Sequence, residues 1–227
     1  MFFNNFSKFA EVESVFKRGG KFYIGNREVK DPPEKAIRWR TELRYPYPTL
    51  NSRESVIMGN NKFLQRKALQ DAGVSVPKSW FEKQNSFPCL ARPTRHARGT
   101  GFHIINSKKE LDALPKRNWY YSEWIEKKEE YRVYVGGDKV LGAFRKPIEG
   151  HTRGHLAITG SWGELLMPSK DICDLAIESN KTLGLDFSGI DVIVGEKPYC
   201  IECNTAPMAI TEDVAELLTK YFIKCLK

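Results

Sequence analysis

The stretch Gly189–Pro207 constrains this chain more than any other. It runs Gly189-Ile190-Asp191-Val192-Ile193-Val194, then Gly195-Glu196-Lys197-Pro198, then Tyr199-Cys200-Ile201-Glu202-Cys203-Asn204-Thr205-Ala206-Pro207. Two apolar, β-branched runs around turn residues are the pattern of a β-hairpin. A turn symmetric about the 196–197 bond sets Val194 against Tyr199, Val192 against Ile201 and Asp191 against Glu202. Asn204 then points to the same side as Glu202, because strand side chains alternate. Carboxylates directly opposite on a sheet repel. A divalent cation removes that repulsion, and two carboxylates with a carboxamide suit Mg2+ or Mn2+ better than zinc or copper. The bland alternative is a solvated hairpin with outward charges, and Val192, Ile193, Val194 and Ile201 leave little solvated face for it.

Cys200 and Cys203 make a CxxC within this hairpin. On a regular strand, positions three apart face opposite sides, which predicts two separate strand thiols rather than a redox or zinc pair. With Cys89, Cys173 and Cys225 the total is five, an odd number at wide spacing, as expected of reduced thiols. No apolar run approaches the roughly 20 residues that span a membrane. The start, Met1-Phe2-Phe3-Asn4-Asn5-Phe6, lacks the basic lead and long apolar core of a secretory signal. The expectation is a cytoplasmic protein.

The net charge of +8 is uneven: residues 61–117 carry 12 Lys/Arg against 4 Asp/Glu, whereas residues 118–227 carry 13 against 17. A basic centre facing an acidic C-terminal half fits a phosphate-rich ligand bridged to a metal. It also fits a nucleic-acid surface. Against the latter, Phe102 is the only aromatic between Arg92 and Arg117, and base stacking needs more.

Along the chain, Lys21–Val29 reads as a hairpin, Glu34–Leu43 as a helix, and Lys62–Ala72 as a helix capped by Asn60-Asn61 and stopped at Gly73. Leu64, Ala68, Leu69 and Ala72 make its predicted apolar face. Strands follow at Phe87–Arg92, Phe102–Ile105 and Trp119–Ile125, with a basic glycine loop Arg95–Gly101 and a short helix after Ser107. Tyr131–Val135 and Lys139–Arg145 pair about Gly136-Gly137-Asp138. Gly150–Gly163 reads as a loop over a site. Helices from Ser169 to about Leu183 and from Thr211 onward flank the metal hairpin, the last with a buried stripe of Val214, Leu217, Leu218, Tyr221, Phe222 and Cys225. Hairpins with segregated helices imply an α+β fold with mainly antiparallel sheets.

Several constellations carry chemistry. Arg92 beside Gly99 and Gly101 is a phosphate cradle in which glycine admits backbone N–H groups and arginine neutralises charge, though a surface hairpin tip fits as well. Glu123, Trp124 and Ile125 offer a strand edge and an apolar bed to an adenine, and an acid shortly after can bind ribose hydroxyls.

The ordered set Asn61-Lys62, Leu90-Ala91-Arg92-Pro93, the glycine loop, Glu123-Trp124-Ile125, Glu130-Tyr131-Arg132, Gly142-Ala143-Phe144-Arg145, Gly189-Ile190-Asp191 and Glu202-Cys203-Asn204-Thr205-Ala206-Pro207 resembles the ATP-grasp superfamily. It is most similar to the branch of ribosomal-protein glutamate ligases and related amino-acid ligases, over about residues 58–210. The resemblance implies two α+β subdomains gripping ATP, here residues 59–126 and 127–227, behind a shortened N-terminal region, 1–58. It implies that Lys62 and Arg92 hold ATP phosphates under the loop ending at Gly99 and Gly101. Glu123, Trp124 and Ile125 would line the adenine hinge, and Glu130 would take the ribose. Arg145, with Arg132 nearby, would stabilise the transferring phosphoryl group. Asp191, Glu202 and Asn204 would hold two Mg2+ ions, for which Mn2+ could substitute. Arg153 and His155 would lie near the acceptor.

Two features depart from that family. Arginine at position 92 replaces the usual lysine, and residues 1–58 are too short for the usual preceding α/β domain, which leaves room for a dimer-completed acceptor site. The implied reaction is ATP-dependent ligation of a carboxylate to an amine through an acylphosphate. The acceptor is unidentified; the basic half favours an acidic one, such as a peptide. A phosphotransferase on the same scaffold and a non-catalytic nucleic-acid module are the alternatives.

Overall fold

The computed structural model describes residues 35–39, 42, 44, 48–83, 85–94, 101–116, 118–146, 165–207 and 211–226, and the backbone of three N-terminal strands. Those strands, β1 (Val15–Arg18), β2 (Lys21–Ile24) and β3 (Arg27–Val29), form an antiparallel sheet in that order. The helix expected over 34–43 is not formed in its described part. Ala36–Ile37 (β4) instead pairs in parallel with Thr49–Leu50 (β5). Trp39 stacks on Phe187 at 5.7 Å, so packing against the C-terminal half overrides the local helical pattern.

Two further sheets follow. β6 (Ser79–Trp80), β7 (Cys89–Pro93), β8 (His103–Ile105) and β9 (Trp119–Glu123) make the smaller one, in the order β6-β9-β7-β8. Its one face packs Cys89, Ala91, Ile105, Trp119 and Tyr121 against Leu111 of the short helix α3 (Lys108–Asp112). Residues 124–128 then cross to the larger sheet. There β10 (Glu129–Gly136), β11 (Lys139–Lys146), β12 (Phe187–Val194) and β13 (Pro198–Asn204) stand in the order β11-β10-β12-β13, all antiparallel. The α+β architecture is as expected.

Strand alternation sorts the larger sheet. Tyr131, Val133, Val135, Ile190 and Val192 pack under helix α4 (Lys170–Thr182). The opposite face is apolar at one end, where Tyr134, Phe144 and Phe187 meet Val214, Leu218 and Phe222 of helix α5 (Glu212–Leu226). Beyond α5 that face carries the charges described below. Among the described residues no helix is long and apolar enough to cross a membrane.

Helices α1 (Arg53–Asn60) and α2 (Lys62–Asp71) abut each other; Asn61 caps α2 by accepting from Leu64 N at 3.1 Å, and Gly73 at φ +80° ends it. The predicted face of α2 needs correction. Leu64 is exposed, whereas Gln65 and Arg66 are buried with Leu69. The reason is the edge of β13, whose backbone would otherwise be left unpaired. Gln65 Nε2 donates to Cys203 O at 2.8 Å and Gly59 O at 3.0 Å, and Cys203 N donates back to Gln65 Oε1 at 2.8 Å. Arg66 Nη2 donates to Ile201 O at 2.5 Å. Gln65→Leu keeps the size and removes all three bonds of Gln65. It is expected to cost about 3 kcal/mol in urea unfolding, because buried backbone groups lose their partners.

Candidate functional site

The hairpin β12–β13 is not symmetric. Val194 pairs with Pro198, so the turn centres on Glu196, and the register runs Val192↔Cys200 and then Asp191↔Glu202. Ile201 is an extra residue, a β-bulge that restores the register after the odd turn. The expected pairings Val192–Ile201 and Val194–Tyr199 therefore fail, while Asp191 still stands opposite Glu202 and Gly189 opposite Asn204. The bulge has a second effect. Cys200 and Cys203 fall on one face, both buried, with Sγ atoms 3.7 Å apart. The expectation that they point to opposite sides is corrected: the alternation rule holds only for an unbulged strand.

Asp191 is buried at the centre of an ionic cluster. Arg132, opposite it on β10, donates from Nε to Oδ1 at 2.5 Å and from Nη2 to Oδ2 at 2.9 Å. Lys146 Nζ donates to the same Oδ1 at 2.9 Å and to Glu130 Oε1 at 2.8 Å. Lys127 closes on Glu130 Oε2 at 2.6 Å. Lys62, the first residue of α2, reaches Glu202 Oε1 at 2.9 Å. Asn204 Nδ2 donates to Asp191 Oδ2 at 3.4 Å. Burial alone would push the Asp191 carboxyl up; Arg132 and Lys146 outweigh it and hold that carboxyl well below the usual carboxylate range. Burial and Lys62 oppose each other in the same way at Glu202, and the net direction is again down. Three carboxylates thus face four cations, Lys62, Lys127, Arg132 and Lys146.

Lys146 was not visible in the sequence reading. β11 pairs Lys146 with Glu130 and Arg145 with Tyr131, so the two basic residues face opposite sides. Arg145, expected at the phosphoryl group, lies on the far face, 56 % exposed and bound to Glu129 at 2.7 Å. The register shift between Tyr134 and Val135 brings Lys146 onto the Arg132 face; a regular ladder from the Gly136–Lys139 pair would have put Arg145 there.

The smaller sheet carries another basic residue, Arg92. Arg92 lies opposite Tyr120, with its guanidinium carbon 5.6 Å from the Phe102 ring centre. Its Nε is buried without a hydrogen-bond partner among the described residues. Phe63 of α2 contacts Tyr120 of this sheet and Phe81, just past the end of β6, at 5.9 and 4.1 Å between ring centres. Helix α2 thus touches both sheets, bringing Phe63 to one and Lys62, Gln65 and Arg66 to the other. Glu123 ends β9 and accepts from Lys78 N at 3.0 Å. Trp124 and Ile125 are half-buried in the crossing segment, and a Cβ at Gly195 would come within 2.8 Å of Ile125. Gly101 has φ +73°. Gly99, Arg153 and His155, with most of both glycine loops, lie outside the described residues.

The residues present fit a hard divalent cation and a polyphosphate. Asp191, Glu202 and Asn204 offer only oxygen ligands, and the unpartnered Arg92 Nε is a donor awaiting an acceptor. Among the described residues no group of three or more His, Cys, Asp or Glu is placed to hold a metal ion.

A profile for the RimK-like ATP-grasp domain matches residues 61–216. A probable alpha-L-glutamate ligase of Vibrio vulnificus is 23 % identical over 205 aligned positions, covering 78 % of this chain and 68 % of that relative. The ATP-grasp ligase PsnB, solved with a minimal precursor, aligns with a TM-score of 0.65 at 18 % identity over 98 % of this chain and 89 % of its own. The D-alanine–D-alanine ligase of Bacillus anthracis, solved with ATP, aligns with a TM-score of 0.62 at 17 % identity over 79 % of this chain and 70 % of its own. These structural likenesses establish the fold, and the first extends into residues ahead of α1.

Proposed function

Because the chain belongs to the RimK-like ATP-grasp domain family, we propose that it activates a carboxylate with ATP and joins it to an amine. It is an ATP-grasp ligase that forms a carbon–nitrogen bond. The observation that carries the site is the opposition of Asp191 and Glu202, with Asn204 alongside, among the basic side chains Lys62, Arg132 and Lys146.

The proposed reaction has two steps. A carboxylate oxygen attacks the γ-phosphorus of ATP, giving an acylphosphate and ADP. The amine then attacks the acyl carbon, and inorganic phosphate leaves with formation of the amide. Little covalent chemistry falls to the protein; position and charge neutralisation supply the rate. Asp191, Glu202 and Asn204 would hold Mg2+, or Mn2+ in its place, which supplies charge neutralisation at the phosphate oxygens. Among the described residues Lys62 bonds Glu202 and Gly59 O, and it can leave both to turn onto a phosphate. Arg92 meets the phosphates from the smaller sheet. Arg132 and Lys146 keep Asp191 ionised and oriented, and in this reading Lys146 takes the place first given to Arg145. Glu123, Trp124 and Ile125 line the adenine hinge. Glu130 reaches a ribose only after Lys127 and Lys146 release it. Arg153 and His155 serve the acceptor.

The acceptor class proposed is an acidic peptide. Its support is the basic centre of the chain and the PsnB neighbour, solved with a precursor peptide and AMPPNP. Incubation with ATP, Mg2+, a glutamate-rich peptide and free amino acids tests the reading. The expected products are ADP, inorganic phosphate and a peptide heavier by one amino acid less one water. A stable phosphopeptide without free phosphate would instead identify a phosphotransferase.

A further inference from the structure

Cys200 and Cys203 have no part in the ligase chemistry, yet they sit on either side of the Ile201 bulge, and Cys203 lies between Glu202 and Asn204. Their Sγ atoms are in contact at 3.7 Å beneath α4. A disulfide needs a sulfur separation of about 2 Å. Closing that gap shortens the span over the two residues between them, Ile201 and Glu202.

Those two residues are held from outside the strand. Ile201 O accepts from Arg66, both backbone groups of Cys203 are gripped by Gln65, and Glu202 is bound by Lys62, all from α2. Cys200 N donates to Ser75 O at 2.9 Å. The bulge is the one step in β13 with no partner on β12. Glu202 rides on it.

We propose that Cys200 and Cys203 form a peroxide-oxidisable dithiol whose closure withdraws Glu202 from Asp191. One thiol attacks a hydroperoxide; the O–O bond breaks, the sulfur becomes a sulfenic acid and water or an alcohol leaves. The second thiol then attacks that sulfur, a water leaves, and the S–S bond forms. The sulfurs lose two electrons in all, taken up by the peroxide. A small dithiol reverses the change by exchange. Oxidation thus disables the acid pair reversibly. This consequence for the acid pair rests on the ligase reading; the disulfide itself does not.

The test treats the full chain with hydrogen peroxide and follows two readouts. Mass spectrometry of the peptide spanning 198–204 is expected to show the loss of two hydrogens, restored by dithiothreitol. Affinity for ADP with Mg2+, by calorimetry, is expected to fall at least about tenfold on oxidation and to recover on reduction. Cys203→Ala and Cys200→Ala are each expected to bind as the reduced wild type does and to ignore peroxide; two variants guard against one failing to fold. No intramolecular disulfide, or a disulfide with unchanged affinity, would overturn the proposal. So would equal peroxide sensitivity in both alanine variants, which would point to Cys89, Cys173 or Cys225. A reduced chain that binds no nucleotide would sink the ligase reading instead and leave the mass measurement standing.

Discussion

Replacing Glu202 with glutamine is expected to lower ATP turnover by about 10³-fold while leaving the fold in place. Glu202 is partly exposed and bound to a single lysine. The amide keeps its size and can still accept a hydrogen bond from Lys62, so thermal unfolding should move only slightly. Asp191→Asn is a different experiment. Asp191 is buried and takes both prongs of Arg132 and one hydrogen bond from Lys146. A neutral amide there leaves two buried cations underpaired, so turnover should vanish and stability should fall by about 3–5 kcal/mol. Steady-state phosphate release and urea unfolding on both variants check the pair. Near-normal phosphate release by Glu202→Gln would remove this residue from the site.

The second large effect separates two neighbours in sequence. Lys146→Met is expected to lower turnover by at least about 100-fold, because Asp191 and Glu130 lose the cation that bridges them. Lys146→Arg should recover part of that loss, since the charge returns in a different shape. Arg145→Ala, one residue away on the other face and bound only to Glu129 among the ion pairs described, should stay within about threefold of wild type. Were Arg145→Ala the crippled enzyme and Lys146→Met the healthy one, the strand register that assembles this site would be wrong.

The contrast shows which parts of the fold were legible in the sequence. Periodicity located β10, β11, β12, β13, α2, α4 and α5, because each has a long patterned run with turn or cap residues at its ends. The opposition of Asp191 and Glu202 was also legible, although by two departures that offset each other: a turn one residue shorter than assumed and a bulge at Ile201. A bulge has no signature in this composition. It is held by Arg66 and Gln65, more than a hundred residues earlier, which capture the strand edge. That long-range hydrogen bonding also explains the misjudged face of α2 and the misplaced thiols. Arg145 was chosen from a motif, and the register shift between Tyr134 and Val135 that puts Lys146 in its place was not legible. The short pairing of Ala36–Ile37 with Thr49–Leu50 escaped because two-residue strands carry no period.

Asp191, Glu202 and Asn204 are proposed to grip a divalent cation together with a nucleotide. In the structure these acids are already matched by Lys62, Arg132 and Lys146, so a cation arriving alone meets a site with no charge to spare, whereas polyphosphate draws Lys62 and Arg92 away and adds its own negative charge. Titrating Mn2+ into the chain by electron paramagnetic resonance, with and without ADP, reads this directly. Binding should be weak without ADP and at least about 100-fold tighter with it, and Glu202→Gln should lose that gain. Tight Mn2+ binding that ignores ADP, or an ADP-dependent gain that survives Glu202→Gln, would contradict the proposal.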